Sequence, residues 1–446
     1  MPDAAAAPDP AKLLRSREYV RLLVLAAVIG IPVSALSYGF LKAVSAVQDL
    51  LFSDLPDALG FASTPAWWPI PIVAAGGLLC ALAIHELPGT GGHEPSAGFH
   101  AGGALPPVQL TGVVAAAFAT LAFGAVLGPE APLILLGSGV GALAVKLAAK
   151  DAPPRATTVV AAAGSFAAIS SLLGSPLLGA FLLLEAAGIG GPIAGLVLLP
   201  GLLAAGVGTL IFIGLDSLTG YGTFSLALPG LPPFDHPTGA MFLWALAFGL
   251  VAAALGRVIA LGGRGLQPVV ARRRLMLTPL VGLVVGGIAT LFTQITSHPA
   301  SDVLYSGQDQ LPGLISSAAT YSTGALIALI VCKSVAYALS LSAFRGGPVF
   351  PSMFIGAAIG VAAADLPGLE LVPSIAMGIG AMCAVMLSLP LTATLLATLL
   401  LGTDGLAAMP VVIVAVVVAY VAAAHLTPAP APAPEPQPAP AVPAAA

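Results

Sequence analysis

The stretch Ala125–Leu136, AVLGPEAPLILL, places one glutamate between two prolines inside an apolar run. No lysine or arginine lies within fifteen residues of Glu130 on either side. Charged side chains in membrane segments are costly and usually functional. The stretch therefore predicts that Glu130 has a partner that the neighbouring sequence does not reveal.

The composition of the whole chain is that of a membrane protein. Of the 446 residues, 58% are hydrophobic and 8% are charged, and the mean hydropathy is +1.03. An ordinary soluble domain is roughly 25% charged. We therefore expect an all-α integral membrane protein that lies in the lipid bilayer and binds no nucleic acid.

The hydrophobic runs are numerous and many are broken. The run from about 22 to 47 is long enough to span a bilayer, but several later runs are too short or are interrupted by glycine or proline. Broken helices are tolerated at membrane depth only where they are buried in protein or line a cavity. This pattern, with tilted, broken and re-entrant helices, is typical of transporters and channels.

The basic residues predict the topology. Lysine and arginine are absent between Arg155 and Arg257, where the polar connection at 225–239 carries Asp235 as its only charge. The positive-inside rule makes that connection external and gives two halves of inverted topology. The expected divisions are a cytoplasmic tail at 1–19, membrane halves at 20–224 and 239–425, an external linker at 225–238, and a disordered Pro/Ala tail at 426–446.

Three Gly/Pro turns lead into helical runs of small residues: GTGGHEP at 89–95, GPEAP at 128–132 and GGPVFP at 346–351. The first turn of a helix has unpaired N–H groups and about half a positive charge, so it attracts anions. Several such ends together would form an anion site without any lysine or arginine. Rapid conduction requires weak binding of this kind.

These three turns resemble those of the CLC family of chloride channels and proton/chloride exchangers. The stretches at 161–187 and 389–410 resemble the same family, and the resemblance covers about residues 20 to 425. It implies a CLC-like fold, chloride as the transported ion, and a homodimer with one anion pathway in each subunit. The family also includes voltage-gated channels.

The resemblance also assigns roles to individual residues. Glu130 matches the gating glutamate, and Thr90 matches the serine whose hydroxyl faces the central anion. The remaining positions matched to anion-binding turns are Gly91, Gly128, Gly347, Pro348, Val349 and Phe350. Where Val349 lies, the family usually has phenylalanine, so any constriction there is wider or displaced.

Departures from the family pattern concern the proton route. The exchangers usually carry an inward-side glutamate directly after the residue matching Glu185, and here that position is Ala186. The family's central-site tyrosine has no counterpart in the Pro/Ala tail, Tyr420 aligns within the final helix, and we expect Tyr321 and Tyr337 to be packing residues. The resemblance implies a divergent bacterial branch of the family that lies in the bacterial inner membrane and is not an enzyme. Its conduction is expected to be channel-like or loosely proton-coupled. Coupled antiport through water chains or Glu185 remains the alternative.

Other readings compete with these roles. Glu130 could instead cap the helix that it begins, and Glu185 could make a helix or subunit contact. We expect Asp404 to serve the turn between two short helices. The His/Glu segment at 85–100 could bind a metal in a membrane-embedded enzyme, although HExxH spacing is absent. A sodium-coupled symporter would need acidic residues clustered at broken helices, and the sequence has none. We expect no cofactor and no metal.

Overall fold

Helices make up nearly all of the computed structural model, which describes residues 14–100, 103–148, 154–188, 192–220, 228 and 231–427. The longer helices are α1 (Arg17–Asp49), α2 (Pro69–Glu86), α3 (Leu110–Ala122), α4 (Glu130–Ala148), α5 (Pro154–Leu173), α6 (Pro176–Ala187), α7 (Pro192–Thr219), α8 (Gly239–Arg272), α9 (Arg274–Thr296), α10 (Thr323–Ala343), α11 (Val349–Ala363), α12 (Leu371–Leu387), α13 (Pro390–Leu400) and α14 (Gly402–Leu426). Most of both predicted tails, and part of the predicted linker, lie outside the described residues.

The two halves of the chain repeat one packing scheme. Helix α4 packs on α5 as α11 packs on α12, and α1 packs on α7 as α8 packs on α14. Across the halves, α2 packs along α9 and α6 meets α13. The matched neighbours mean that α4 and α11 occupy equivalent places, one in each half.

Glycine pairs let the central helices approach closely. A Cβ atom at Gly137 of α4 would collide with the carbonyl oxygen of Gly164 in α5, and one at Gly356 of α11 would collide with that of Gly378 in α12. Small residues at helix interfaces allow this approach where lipid gives no hydrophobic drive for association. The repeated glycines therefore let α4 pack closely on α5 and α11 on α12.

Helix lengths confirm the predicted mixture of full and broken helices. Among the described residues, nine helices are long and apolar enough to cross a membrane by length and composition. The shorter apolar helices are Pro107–Ala122, Pro176–Ala187, Val349–Ala363, Leu371–Leu387 and Pro390–Leu400. Helix α11 begins inside the protein, with nearly all of its first turns buried. Its unpaired N–H groups must therefore find partners within the protein.

The described part of the connection between the halves contacts the end of the second half. The backbone N–H of Leu228 donates to the carbonyl oxygen of Leu400 at 3.1 Å, and that of Phe234 donates to Asp404 Oδ1 at 3.0 Å. Asp404 thus binds a distant connection, whereas we expected it to serve its own turn. Its carboxylate ties the connection to the start of α14.

Candidate functional site

The turns before α4 and α11 pair with each other at the centre of the molecule. Gly128 N–H donates to the carbonyl oxygen of Gly347 at 2.8 Å, and Gly347 N–H donates to that of Gly128 at 2.6 Å. Each glycine is followed by a proline and then by the first residue of its helix, Glu130 or Val349. The reciprocal pair therefore holds two helix N-termini side by side.

The carboxylate of Glu130 lies at the first turn of α11. Its Oε1 accepts a hydrogen bond from the backbone N–H of Phe350 at 2.8 Å, and its side chain has no exposed surface. Its Oε2 is buried and has no hydrogen-bond partner among the described residues. The partner that the local sequence does not show is thus a backbone amide of the other half.

Two glycines make room for this carboxylate. A Cβ atom at Gly128 or at Gly347 would overlap the carboxyl oxygens of Glu130. The space between the paired turns is thus the size of a carboxylate group. It is bounded by glycine backbone and by the amides that begin α11, which favour negative charge.

Helix α10 fastens both turns. Ser340 Oγ accepts a hydrogen bond of 3.1 Å from the N–H of Val126, which lies just before the turn at 128–132. The hydroxyls of Tyr337 and Ser352 both donate to the carbonyl oxygen of Pro348, at 3.2 Å and 2.6 Å. Tyr337 is fully buried. It is therefore more than the packing residue that we expected, because its hydroxyl also holds the turn beside Glu130.

The predicted turn at 89–95 lies next to the paired turns, but the hydroxyl of its Thr90 bonds elsewhere. Thr90 has a positive φ of 49°, and its Oγ1 donates to the carbonyl oxygen of Gly89 at 2.8 Å. Gly91 is buried, and a Cβ atom there would lie 3.1 Å from Cγ of Arg345. The role of Thr90 in anion coordination stays a prediction, because its hydroxyl is hydrogen-bonded within its own turn.

A buried arginine that the sequence analysis did not assign joins these turns. Arg345 directly precedes Gly346-Gly347, and its side chain is 4% exposed. Its Nε donates to the carbonyl oxygen of Thr90 at 3.3 Å, and its Nη2 lies 3.4 Å from Glu94 Oε1. An arginine thus lies beside the Thr90 turn, whereas we expected helix ends to form the anion site without any lysine or arginine; the anion site itself stays a prediction. The signal in the sequence was a lone arginine, the last in the chain, immediately before the Gly-Gly turn.

Glu185 makes a helix contact. Its Oε1 accepts a hydrogen bond from Leu391 N–H at 2.9 Å, and its Oε2 accepts from the N–H and Oγ1 of Thr392 at 2.7 Å and 2.6 Å. These groups belong to the first turn of α13, so the carboxylate caps that helix. Ala186 follows it and offers no titratable group, and the proton role predicted for Glu185 stays untested.

The histidine segment does not assemble a metal centre in the described residues. The rings of His93 and His100 stack with centroids 5.8 Å apart, and His85 Nδ1 lies 2.8 Å from Glu86 Oε1. Partial burial lowers the pKa of His93, and His100 lowers it further. Within the part of the chain that the structure describes, no three potential ligands are grouped closely enough to hold a metal ion.

Sequence comparison identifies relatives over most of the chain. The profile described as "Voltage gated chloride channel" matches residues 74–424. The chain is also 29% identical over 379 residues to a protein of Escherichia coli O139:H28 named putative ion-transport protein YfeO. That alignment covers 83% of this chain and 84% of the relative.

Structural comparison gives the same architecture. A slow cyanobacterial Cl⁻/H⁺ antiporter matches with a TM-score of 0.72 and 22% identity, and a CLC-type fluoride/proton antiporter matches with 0.62 and 21%. Each match covers 91% of this chain and 95% of the other. A eukaryotic CLC transporter matches with a TM-score of 0.69 and 16% identity, over 92% of this chain and 72% of that one.

These matches confirm the predicted all-α, CLC-like membrane fold. A family of ion channels also confirms that the chain is not an enzyme, and the spans and bacterial relatives make it a multi-pass protein of the bacterial inner membrane. Because the family profile matches well over half of its residues, the chain belongs to the voltage-gated chloride channel family, the CLC family that its Gly/Pro turns resemble.

Proposed function

We propose that this protein moves chloride, or a similar monovalent anion, through a pathway in each subunit of a homodimer, with Glu130 as the gate. In its ionised form the Glu130 carboxylate competes with the anion for the amides at the start of α11. In its protonated form it releases them. Gly128, Gly347, Pro348, Val349 and Phe350 form the walls of the site, with Thr90 and Gly91 on its inner side.

The observation that carries this proposal is the hydrogen bond from Phe350 N–H to Glu130 Oε1, 2.8 Å long and fully buried. A carboxylate that occupies a helix N-terminus marks a place where an anion of similar size would be stabilised. Backbone amides bind an anion without a fixed full charge, which leaves it free to exit. The glycine pair leaves space for one such group at a time.

Proton coupling is proposed to be loose or absent. Ala186 lacks a carboxyl group at the usual inward position, and Glu185 is engaged by three donors at the start of α13. The alternative is coupled proton/chloride antiport. Its support is that two similar solved structures are described as antiporters, one of chloride and one of fluoride.

Reconstituted protein distinguishes the two modes. Liposomes loaded with chloride are diluted into chloride-free buffer, and chloride efflux and external pH are recorded together, with valinomycin and potassium clamping the voltage. Loose coupling predicts efflux with little proton movement, whereas a fixed ratio of protons to chloride would establish antiport. Liposomes that release no chloride would refute anion transport itself.

A further inference from the structure

A second carboxylate, that of Glu94, is held by cations near the Thr90 turn. Its Oε1 lies 3.2 Å from Nη2 of Arg274 and 3.4 Å from Nη2 of Arg345. Its Oε2 accepts a hydrogen bond from Nε2 of Gln267 at 2.6 Å. Two distant parts of the chain, the α8/α9 junction with Gln267 and Arg274 and the turn with Arg345, thus meet at one carboxylate.

The cluster adjoins the anion-binding turns and faces the cytoplasm. Arg345 contacts the Thr90 carbonyl with its Nε and lies two residues before Gly347, whose backbone bonds Gly128. The segment 257–274, which includes the end of α8 with Gln267 and the start of α9 with Arg274, is the most arginine-rich part of the chain and is cytoplasmic by the positive-inside rule. An anion that leaves the Thr90 turn inward therefore meets these guanidinium groups.

The cluster contains more positive charges than the single negative charge of Glu94. Two guanidinium groups share Oε1 of Glu94, and a third, that of Arg264, donates from Nε to the Ser96 carbonyl oxygen at 3.1 Å. Nη1 of Arg274 is buried and has no hydrogen-bond partner among the described residues. Arg345 is almost wholly buried, whereas the Glu94 side chain is 38% exposed. The two guanidinium groups are thus more buried than the carboxylate that they bind, which borders water.

We propose that Arg345, Arg274 and Gln267 form an inward-facing binding site for a small monovalent anion, with the Glu94 carboxylate as its tethered occupant. This inference rests on the proposed anion transport. With Glu94 in place, the arginines are partly neutralised and do not trap the anion. When Glu94 swings into water, an anion arriving from the cytoplasm binds to the guanidinium groups and is passed to the Thr90 turn.

Chloride binding to the purified protein tests this site. Isothermal titration calorimetry with chloride compares wild type with Glu94→Gln and with the control Glu86→Gln, which removes the same charge from a 66% exposed side chain paired with His85. Removing a partly exposed carboxylate that competes with the anion is expected to change the Kd for chloride about fivefold. Glu94→Gln is therefore expected to lower the Kd for chloride about fivefold and to reduce maximal efflux, because release becomes slower.

Two further outcomes separate the hypotheses. Arg274→Gln removes one cation of the site and is expected to weaken chloride binding, which tests the proposal even if Glu94→Gln does not fold. If Glu94→Gln and Glu86→Gln bind chloride alike while wild type transports it, the inner site is refuted and the proposed function stands. A purely structural ion pair would change the melting temperature of Glu94→Gln but leave its Kd for chloride at the wild-type value.

Discussion

Replacing Glu130 with glutamine removes the charge of the gate and keeps its shape. The glutamine carbonyl oxygen can still accept the hydrogen bond from Phe350 N–H, which is 2.8 Å long in the native protein. The substitution therefore weakens this hydrogen bond without removing it, and the neutral side chain competes less well with the anion for the amides at the start of α11.

The size of the effect follows from the contacts. A buried hydrogen bond to a charged group contributes about 1.5–3 kcal/mol, and one to a neutral group about 0.5–1.5 kcal/mol. The helix N-terminus favours the negative charge by a further ~0.3–1 kcal/mol. The difference of about 2 kcal/mol corresponds to about thirtyfold weaker self-occupancy of the site.

Chloride efflux from liposomes at several pH values is the assay. Wild-type efflux is expected to increase as the pH falls, because protonation of Glu130 frees the amides. Glu130→Gln is expected to be fast at every pH, with up to about thirtyfold higher efflux at alkaline pH. Glu86→Gln serves as the control, since it removes an exposed carboxylate outside the site.

The reasoning would be refuted if Glu130→Gln had the wild-type rate and the wild-type pH dependence. That result would make Glu130 a structural cap of α4. A variant that lost flux entirely while remaining folded would also contradict the competition argument, because nothing larger than the native side chain would occupy the site.

Four further predictions concern the surroundings of the gate. Gly347→Ala should abolish the pH dependence of efflux and lower its rate, because the new methyl group would take the place of the Glu130 carboxylate. The control is Gly287→Ala, whose methyl group would have no atom within 4 Å, and it should leave the rate and the pH dependence unchanged. Glu185→Ala should lower the unfolding free energy by about 1–2 kcal/mol in a thermal or urea melt, because the first turn of α13 loses its cap. A variant with unchanged stability but altered proton movement would contradict this structural role. Lys333→Met should destabilise the protein by about 3 kcal/mol or more, because the buried Nζ donates to the carbonyl oxygens of three successive residues, 302–304, at 2.9–3.2 Å; an unchanged melting temperature would disprove this. Treatment with EDTA should leave chloride efflux at its original rate, and loss of efflux that zinc restores would overturn the prediction that no metal is needed.

Several features of the site follow from the sequence because their causes are local. The Gly-Pro pairs at 128–129 and 347–348 predict helix starts, and Glu130 and Val349, which directly follow them, indeed begin α4 and α11. A glutamate in such an apolar segment has to be paired or functional, whatever the fold. The composition alone indicates a membrane protein, because it decides the partition between water and lipid.

Other features could not be predicted, because they depend on residues far apart in the chain. A helix contact was one of the readings of Glu185, but its partners had no signal in the sequence, since residues 391 and 392 lie in a helix of the other half. Arg345 was missed because its contacts with Thr90 and Glu94 join segments that are separated by about 250 residues. No periodicity or spacing encodes such contacts.

The sequence by itself determined that the chain crosses the membrane many times, that its helices break at three Gly/Pro turns, and that the turn at 128–132 carries a carboxylate with no lysine or arginine within fifteen residues. Only the tertiary structure decided what that carboxylate binds. Phe350 is 220 residues from Glu130, and their hydrogen bond exists because the backbones of Gly128 and Gly347 pair and hold the N-termini of α4 and α11 side by side. Hydropathy and turn formation are properties of short segments, whereas a site between two halves requires the packing of the whole chain.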